Sequence, residues 1–175
     1  LGIVQGLTEF LPVSSSAHLI LARAFFGFDA DRFGLAFDVA CHVGTLIAVV
    51  VYFRREIADL IRAVPRLMDA GHDDDARMIW LLVIGTLPAI AAGLLFKREI
   101  EILRTPIVAA VTLTLGSILC FVAERRGSKT RGERTLTMTE ALWIGCAQAM
   151  ALVPGVSRSG ATISVALLLG LGRPD

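Results

Sequence analysis

Apolar residues in this chain fall in blocks separated by short polar stretches. Phe37–Phe53, Met78–Phe96 and Pro106–Ala123 are the long blocks, close to the roughly 20 apolar residues a helix needs to cross a bilayer. Pro88 predicts a kink in the second. Pro106 sits at the first turn of the third, where a missing N–H costs least. Two further pairs of blocks are too short to cross. Leu1–Leu11 and Ala17–Phe28 are parted by Pro12-Val13-Ser14-Ser15-Ser16, and Ala141–Val153 and Ile163–Leu171 by Pro154-Gly155-Val156-Ser157-Arg158-Ser159-Gly160-Ala161-Thr162. A Pro-Gly break carrying an arginine and three hydroxyls is tolerated at membrane depth only where it is buried in protein or lines a polar cavity. An arginine there marks a functional site by default.

The pattern predicts an all-α polytopic membrane protein, a single membrane domain over residues 1–175. One re-entrant helix hairpin covers 1–28 and a second covers 140–171, with spans at about 37–53, 78–96 and 106–123. The chain begins without a Met, inside an apolar helix pattern, and stops just after Leu171, so a fragment of a longer protein is expected. Composition agrees: 55% of residues are apolar and mean hydropathy is +0.69, above the 45–50% apolar of soluble domains. Three cysteines, Cys41, Cys120 and Cys146, lie in apolar blocks at irregular spacing, which fits small buried hydrophobes and neither a disulfide frame nor a zinc site.

The net charge of +1 says little, but its distribution sets an orientation. Arg54–Arg77 holds five arginines, and Glu124–Arg134 holds five more basic residues; two spans separate these loops, so they share a side. Arg23, Arg32, Lys97, Arg98 and Arg104 lie on the other. The bias places the richer loops in the cytoplasm, with Trp80 and Trp143 as interface anchors just after each. Ile57, Leu60, Ile61, Val64, Leu67 and Met68 recur at helical spacing opposite Arg54, Arg55, Arg62 and Arg66, which predicts an interfacial helix interrupted near Pro65. Asp73-Asp74-Asp75 reads as a solvated loop.

Residues 1–20 and 144–163 align without gaps. Gly2 meets Gly145, Gln5 meets Gln148, Val13-Ser14 meet Val156-Ser157, Ser16 meets Ser159 and Ile20 meets Ile163. With the loop charges, this predicts two hairpins entering from opposite sides, an inverted repeat with its broken tips meeting near the midplane.

The tips carry the candidate chemistry. Gln5 and Glu9 share one helix face, and Ser14, Ser15, Ser16 and His18 follow. A carboxylate here must be paired, metal-bound or protonated. On the second tip, Arg158 offers a planar fork for phosphate oxygens. Ser157, Ser159 and Thr162 offer hydroxyls, and the half-helix starting near Gly160 points free N–H groups at an anion. Acid, hydroxyl, imidazole and guanidinium together suit phosphoryl transfer or hydrolysis. Each also has a plainer structural role: serines bonding helix carbonyls or capping a helix, His18 as a packed histidine, Glu9 tied to Arg158 as structural glue. Asp38 and His42 read as helix-end residues.

Gln5-Gly-Leu-Thr-Glu9-Phe-Leu-Pro-Val-Ser-Ser15-Ser-Ala-His18 and Pro154-Gly-Val-Ser-Arg158-Ser-Gly-Ala-Thr162 resemble the two signature motifs of the undecaprenyl-diphosphate phosphatases, the bacitracin-resistance type of integral membrane enzyme. The resemblance runs the length of the chain. It implies transmembrane helices with two re-entrant pairs in inverted repeats, and hydrolysis of undecaprenyl diphosphate to undecaprenyl phosphate and inorganic phosphate. It also implies a divalent cation, Mg²⁺ or Ca²⁺, and a site open to the outer face of the bacterial plasma (inner) membrane. Gln5 stands where the family has Glu or Gln, and an amide oxygen still ligates a hard cation. Ser16-Ala17 replaces the commoner Thr-Gly before the histidine.

The expected mechanism has Arg158 and N–H groups near Gly160 hold the diphosphate, with Ser14, Ser157, Ser159 and Thr162 around it. Gln5 and Glu9 place the cation, Glu9 activates either Ser15 or a water, and His18 protonates the leaving group or orients the site. No nucleic acid partner is expected; the partners are the membrane, the polyprenyl diphosphate lipid and, left open, a second copy in a homodimer. The competing readings are a secondary transporter or lipid flippase on the same hardware, the lipid phosphatases with a Ser-Gly-His motif, and a structural membrane subunit. No histidine follows Arg158, as the Ser-Gly-His group requires, and a structural subunit has no use for an arginine among hydroxyls.

Overall fold

The computed structural model describes residues 1–29, 33–69 and 73–172; Arg32, counted above among the outer basic residues, lies outside them. The chain forms α1 (Gly2–Thr8), α2 (Ser15–Phe26), α3 (Leu35–Tyr52), α4 (Arg54–Ala63), α5 (Asp74–Leu95), α6 (Lys97–Ile102), α7 (Pro106–Arg126), α8 (Met138–Met150) and α9 (Arg158–Leu168). Among the described residues the sole β feature is an isolated bridge between Arg131 and Leu171. The protein is an all-α polytopic membrane protein. Helices α3, α5 and α7 are each long and apolar enough to cross a membrane. Their apolar side chains stay uncovered by protein: Ile47 is 59% exposed, Leu94 79% and Ile107 77%. Apolar surface on this scale requires lipid to cover it.

Helix α5 begins at Asp74, earlier than the apolar pattern predicts. Asp73 caps it, its carboxylate accepting from the backbone N–H groups of Asp75 and Ala76, both at 3.0 Å. The acidic run is therefore a helix start and not a solvated loop, with Asp74 and Asp75 in the first turn at the positive end of the helix dipole. Pro88 lies inside α5 without ending it. Thr105 caps α7, with Pro106 behind it as expected. Helix α4 passes at Val64 into a 3-10 turn, Val64–Asp69, that contains Pro65. All three cysteines are free, and Cys146 is exposed, not buried.

The predicted pairs of short helices form as two hairpins, α1–α2 and α8–α9, both packed on α7. Ala17 and Ile20 of α2 meet Ala109 and Leu113. Further along α2, Arg23 joins Asp38 and Arg104 beyond the N-terminal end of α7, so α2 runs against α7. Helix α9 runs with it: the Gly160 carbonyl lies at Cys120, and Leu167 backs onto Gly127. The second arms of the two hairpins thus leave the middle of α7 in opposite directions, the geometry of an inverted repeat.

Close approach of backbone sets these contacts. A Cβ at Gly145 would stand 2.5 Å from the Gly85 carbonyl oxygen, so only glycine lets α8 lie this close to α5. Gly155 has φ +98°, and a Cβ there would overlap Thr112 Oγ1 and stand 2.6 Å from the Ala109 carbonyl oxygen. Thr112 Oγ1 donates to the Pro154 carbonyl at 2.6 Å, pinning the second tip to α7.

The far ends of α8 and α9 are tied by Arg131, which meets Glu140 through both guanidinium nitrogens (2.6 and 3.1 Å) and donates to the Leu169 carbonyl at 3.0 Å. Glu140 also closes a capping box with Thr137. The Arg131 hydrogen bonds first, then those from Thr137, hold the Glu140 carboxyl down from 4.5 to about 2. A depressed carboxyl stabilises the fold above its unfolded pKa, and that contribution is lost as pH falls through the folded value. Glu140→Gln is accordingly expected to lower the unfolding temperature at neutral pH. The gap from wild type should close as pH drops from 4.5 towards 2, read by tryptophan fluorescence in detergent.

Candidate active site

Between the two tips and the inner face of α3 lies a cavity of about 940 Å³. Glu9, Ser14, Ser15 and Ser16 line it from the first tip. Ser157, Arg158, Ser159 and Thr162 line it from the second, Gln148 from α8, and Asp38, Val39, His42, Val43, Leu46 and Val49 from α3. Ser159 Oγ donates to the Leu11 carbonyl at 3.3 Å, joining the tips directly.

Glu9 is the hub of the first tip. It directly follows α1, one turn beyond Gln5, whose Nε2 donates to Glu9 Oε2 at 2.7 Å. Ser15 Oγ donates to the same oxygen at 2.5 Å, and His42 Nε2 lies 3.6 Å away. Chain reversal between Glu9 and Ser15 brings this about. Ser14, buried, sits at φ 61° and ψ 91°, a conformation uncommon for a residue with a Cβ. The turn presents Ser15 at the start of α2, facing Glu9. A hydroxyl bonded to a carboxylate that Gln5 also holds can serve as a nucleophile with its base.

Arg158 opens α9, where it is exposed to the cavity. Among the described residues it has no ion-pair or hydrogen-bond partner for its guanidinium, so it is not glued to Glu9. The two tips share a detail at the register of the repeat. Ser14 and Ser16 hydroxyls lie 3.3 Å apart, and Ser157 and Ser159 hydroxyls 3.2 Å apart. Ser157 Oγ also accepts from Gly160 N–H at 3.1 Å. That corrects one expectation: the Gly160 N–H is taken by the helix cap, and the amides left for an anion are those of Arg158 and Ser159, ahead of it in the first turn. Thr162 Oγ1 lines the cavity but spends its proton on the carbonyls of Arg158 and Ser159, at 2.9 and 3.2 Å.

His18 is not among the residues lining the cavity. Its Nδ1 lies 2.9 Å from the Ser14 carbonyl oxygen, one turn back on its own helix, which braces the strained turn. Of its two expected roles, orienting the site fits this placement and protonating the leaving group does not. Asp38 and His42 are more than helix-end residues. Asp38 is 3% exposed and receives Arg23 (2.6 and 3.1 Å) and Arg104 (2.5 Å). His42 Nδ1 sits 2.7 Å from the Asp38 carbonyl oxygen, leaving Nε2 towards Glu9. The signal was available, since an acid within an apolar span must find a cation. The chain offers several on that side, and only the fold selects Arg23 and Arg104.

The expected cation ligands bear on the same carboxylate. Gln5 is 1% exposed, and its Oε1 is buried without a hydrogen-bond partner, an orphaned oxygen that a hard cation would satisfy. Among the described residues no cluster of three His, Cys, Asp or Glu exists. The donors present are thus one carboxylate, one amide oxygen and serine hydroxyls, a set that suits a hard cation completing its shell with water or other oxygen ligands, although Gln5 itself does not line the cavity.

These features define the class of the protein: an all-helical membrane protein with two opposed broken hairpins, whose tips set an acid–hydroxyl pair and an open arginine in one cavity. The chain belongs to the bacitracin resistance protein BacA family, whose family model matches residues 1–175. It is 50% identical over 179 residues to an undecaprenyl-diphosphatase of Rubrobacter xylanophilus and 52% identical over 178 residues to undecaprenyl-diphosphatase 2 of Stutzerimonas stutzeri. An undecaprenyl-diphosphatase of Chromohalobacter salexigens is 48% identical over 175 residues. These matches take in 100, 99 and 99% of this chain and 66, 65 and 65% of the relatives, so the chain spans about two thirds of their length.

Proposed function

We propose that the whole protein hydrolyses undecaprenyl diphosphate to undecaprenyl phosphate and inorganic phosphate in the bacterial plasma membrane. It thereby returns the lipid carrier to cell-wall synthesis and confers bacitracin resistance. One observation carries the reading: Ser15 Oγ is bonded to Glu9 in the same cavity as Arg158, whose guanidinium has no partner among the described residues. The names of the relatives agree with it.

Arg158 and the backbone N–H groups of Arg158 and Ser159 receive the terminal phosphate. Glu9 takes the Ser15 proton as Ser15 Oγ attacks the terminal phosphorus, and the bond to the bridging oxygen breaks to release undecaprenyl phosphate. Glu9 passes that proton to the departing phosphate and, a carboxylate again, takes a proton from water as the water oxygen attacks the phosphoserine; the bond from Ser15 Oγ to phosphorus breaks, the proton returns to Ser15 Oγ, and inorganic phosphate is freed. Gln5 holds the Glu9 carboxylate in place throughout. Mg²⁺ or Ca²⁺, held at Glu9 and Gln5, would neutralise charge on the diphosphate oxygens. The prenyl chain lies along the apolar wall of α3. The full-length protein is expected to release phosphate from a C15 or C55 prenyl diphosphate and to stop when EDTA is added. Release unaffected by EDTA would remove the cation, and no release at all would remove the enzyme.

A further inference from the structure

The repeat pairs Gln5 with Gln148, and the two amides meet different fates. Gln5 is buried with its NH₂ on Glu9. The residue that occupies the Glu9 register in the second hairpin is Leu152, which offers no acceptor. Gln148 therefore has no carboxylate to bond. It is half-buried, it lines the cavity with Arg158, and its amide has no hydrogen-bond partner among the described residues. Its neighbours in the cavity wall, Ala151, Leu152, Pro154 and Val156, are apolar. Its amide atoms stay open to the cavity, so an anion entering there meets N–H donors that no described protein group has claimed.

We propose that Gln148 is a substrate-contacting residue, donating its NH₂ to a diphosphate oxygen beside Arg158. The inference rests on the proposed phosphatase reading and deepens it. The amide is neutral, so it adds direction without adding charge, and an anion in an apolar wall gains from each donor it meets. The repeat thus uses one residue type for two tasks. On the first tip the glutamine orients the base; on the second, freed by Leu152, it addresses the substrate.

The test uses the full-length protein in detergent, with Gln148→Met, Gln148→Glu and the wild type. Binding of methylene diphosphonate, a non-cleavable diphosphate, is titrated alongside turnover of a C15 prenyl diphosphate. Gln148→Met preserves size and removes the donors; it is expected to weaken diphosphonate binding and raise KM about tenfold, with kcat changed much less. Gln148→Glu, the same shape with a negative charge, is expected to lose more than Gln148→Met. A packing role would make the two variants alike and leave binding within about twofold of wild type while unfolding temperature fell, and that result would overturn the inference. Wild-type protein that binds diphosphonate without releasing phosphate would sink the enzyme reading but leave the contact standing. Wild-type protein that does neither would overturn both.

Discussion

Arg158→Ala in the full-length protein is expected to lower kcat/KM for prenyl diphosphate hydrolysis by about a thousandfold, with unfolding temperature nearly unchanged. The basis is geometric. The guanidinium is open to the cavity and bonded to nothing among the described residues, so its removal orphans no protein group. What is lost on the proposed reading is a bidentate contact to phosphate oxygens whose charge is redistributed in the transition state; single donors of this kind are worth roughly 10²–10³ in rate, and an arginine fork more. Arg158→Lys should recover only part, because an ammonium lacks the planar pair of donors. Activity of Arg158→Ala within threefold of wild type would show that phosphate is held elsewhere.

Glu9→Gln is expected to cost about 10²–10⁴ in kcat, the usual range for a general base. The substitution keeps the shape but removes the charge and basicity of the carboxylate that Ser15 and Gln5 bond. Compared with Ser15→Ala, it also identifies the nucleophile. If Ser15 attacks phosphorus, both variants fall together and no phosphoserine forms in Ser15→Ala. If water attacks directly, Ser15→Ala retains most of its rate while Glu9→Gln does not. Near-wild-type phosphate release by Glu9→Gln would end the assignment of Glu9 as the base.

Much of the architecture follows from the apolar blocks. Spans, hairpins and the Pro65 interruption are legible because membrane helices must be apolar over a fixed length, and breaks must carry polar backbone. The start of α5 was missed because an aspartate cap extends a helix without adding an apolar residue. At the site, Glu9, Ser15 and Arg158 were legible as polar groups stranded in apolar sequence, and the repeat paired the two tips. The Asp38 cluster and the position of His42 were not, because the pairing partner of a charge within a span is chosen by helix packing, not by spacing. The same holds for His18: a histidine one turn after Ser14 bonds its carbonyl or faces the cavity according to a backbone twist that the sequence does not announce.

Both tips take their position from one helix. Gly155 rests on Ala109 and Thr112, Gly160 lies at Cys120, and Ala17 and Ile20 lie against Ala109 and Leu113. Helix α7 therefore works as a gauge bar: it fixes the distance from the Ser15 hydroxyl to the Arg158 fork although little else connects them. One residue of slip along it displaces a tip by about 1.5 Å, and errors near 1 Å already cost around a hundredfold in rate. Tolerances this tight put the small residues of α7, with no chemistry of their own, under the same constraint as the residues of the two tips.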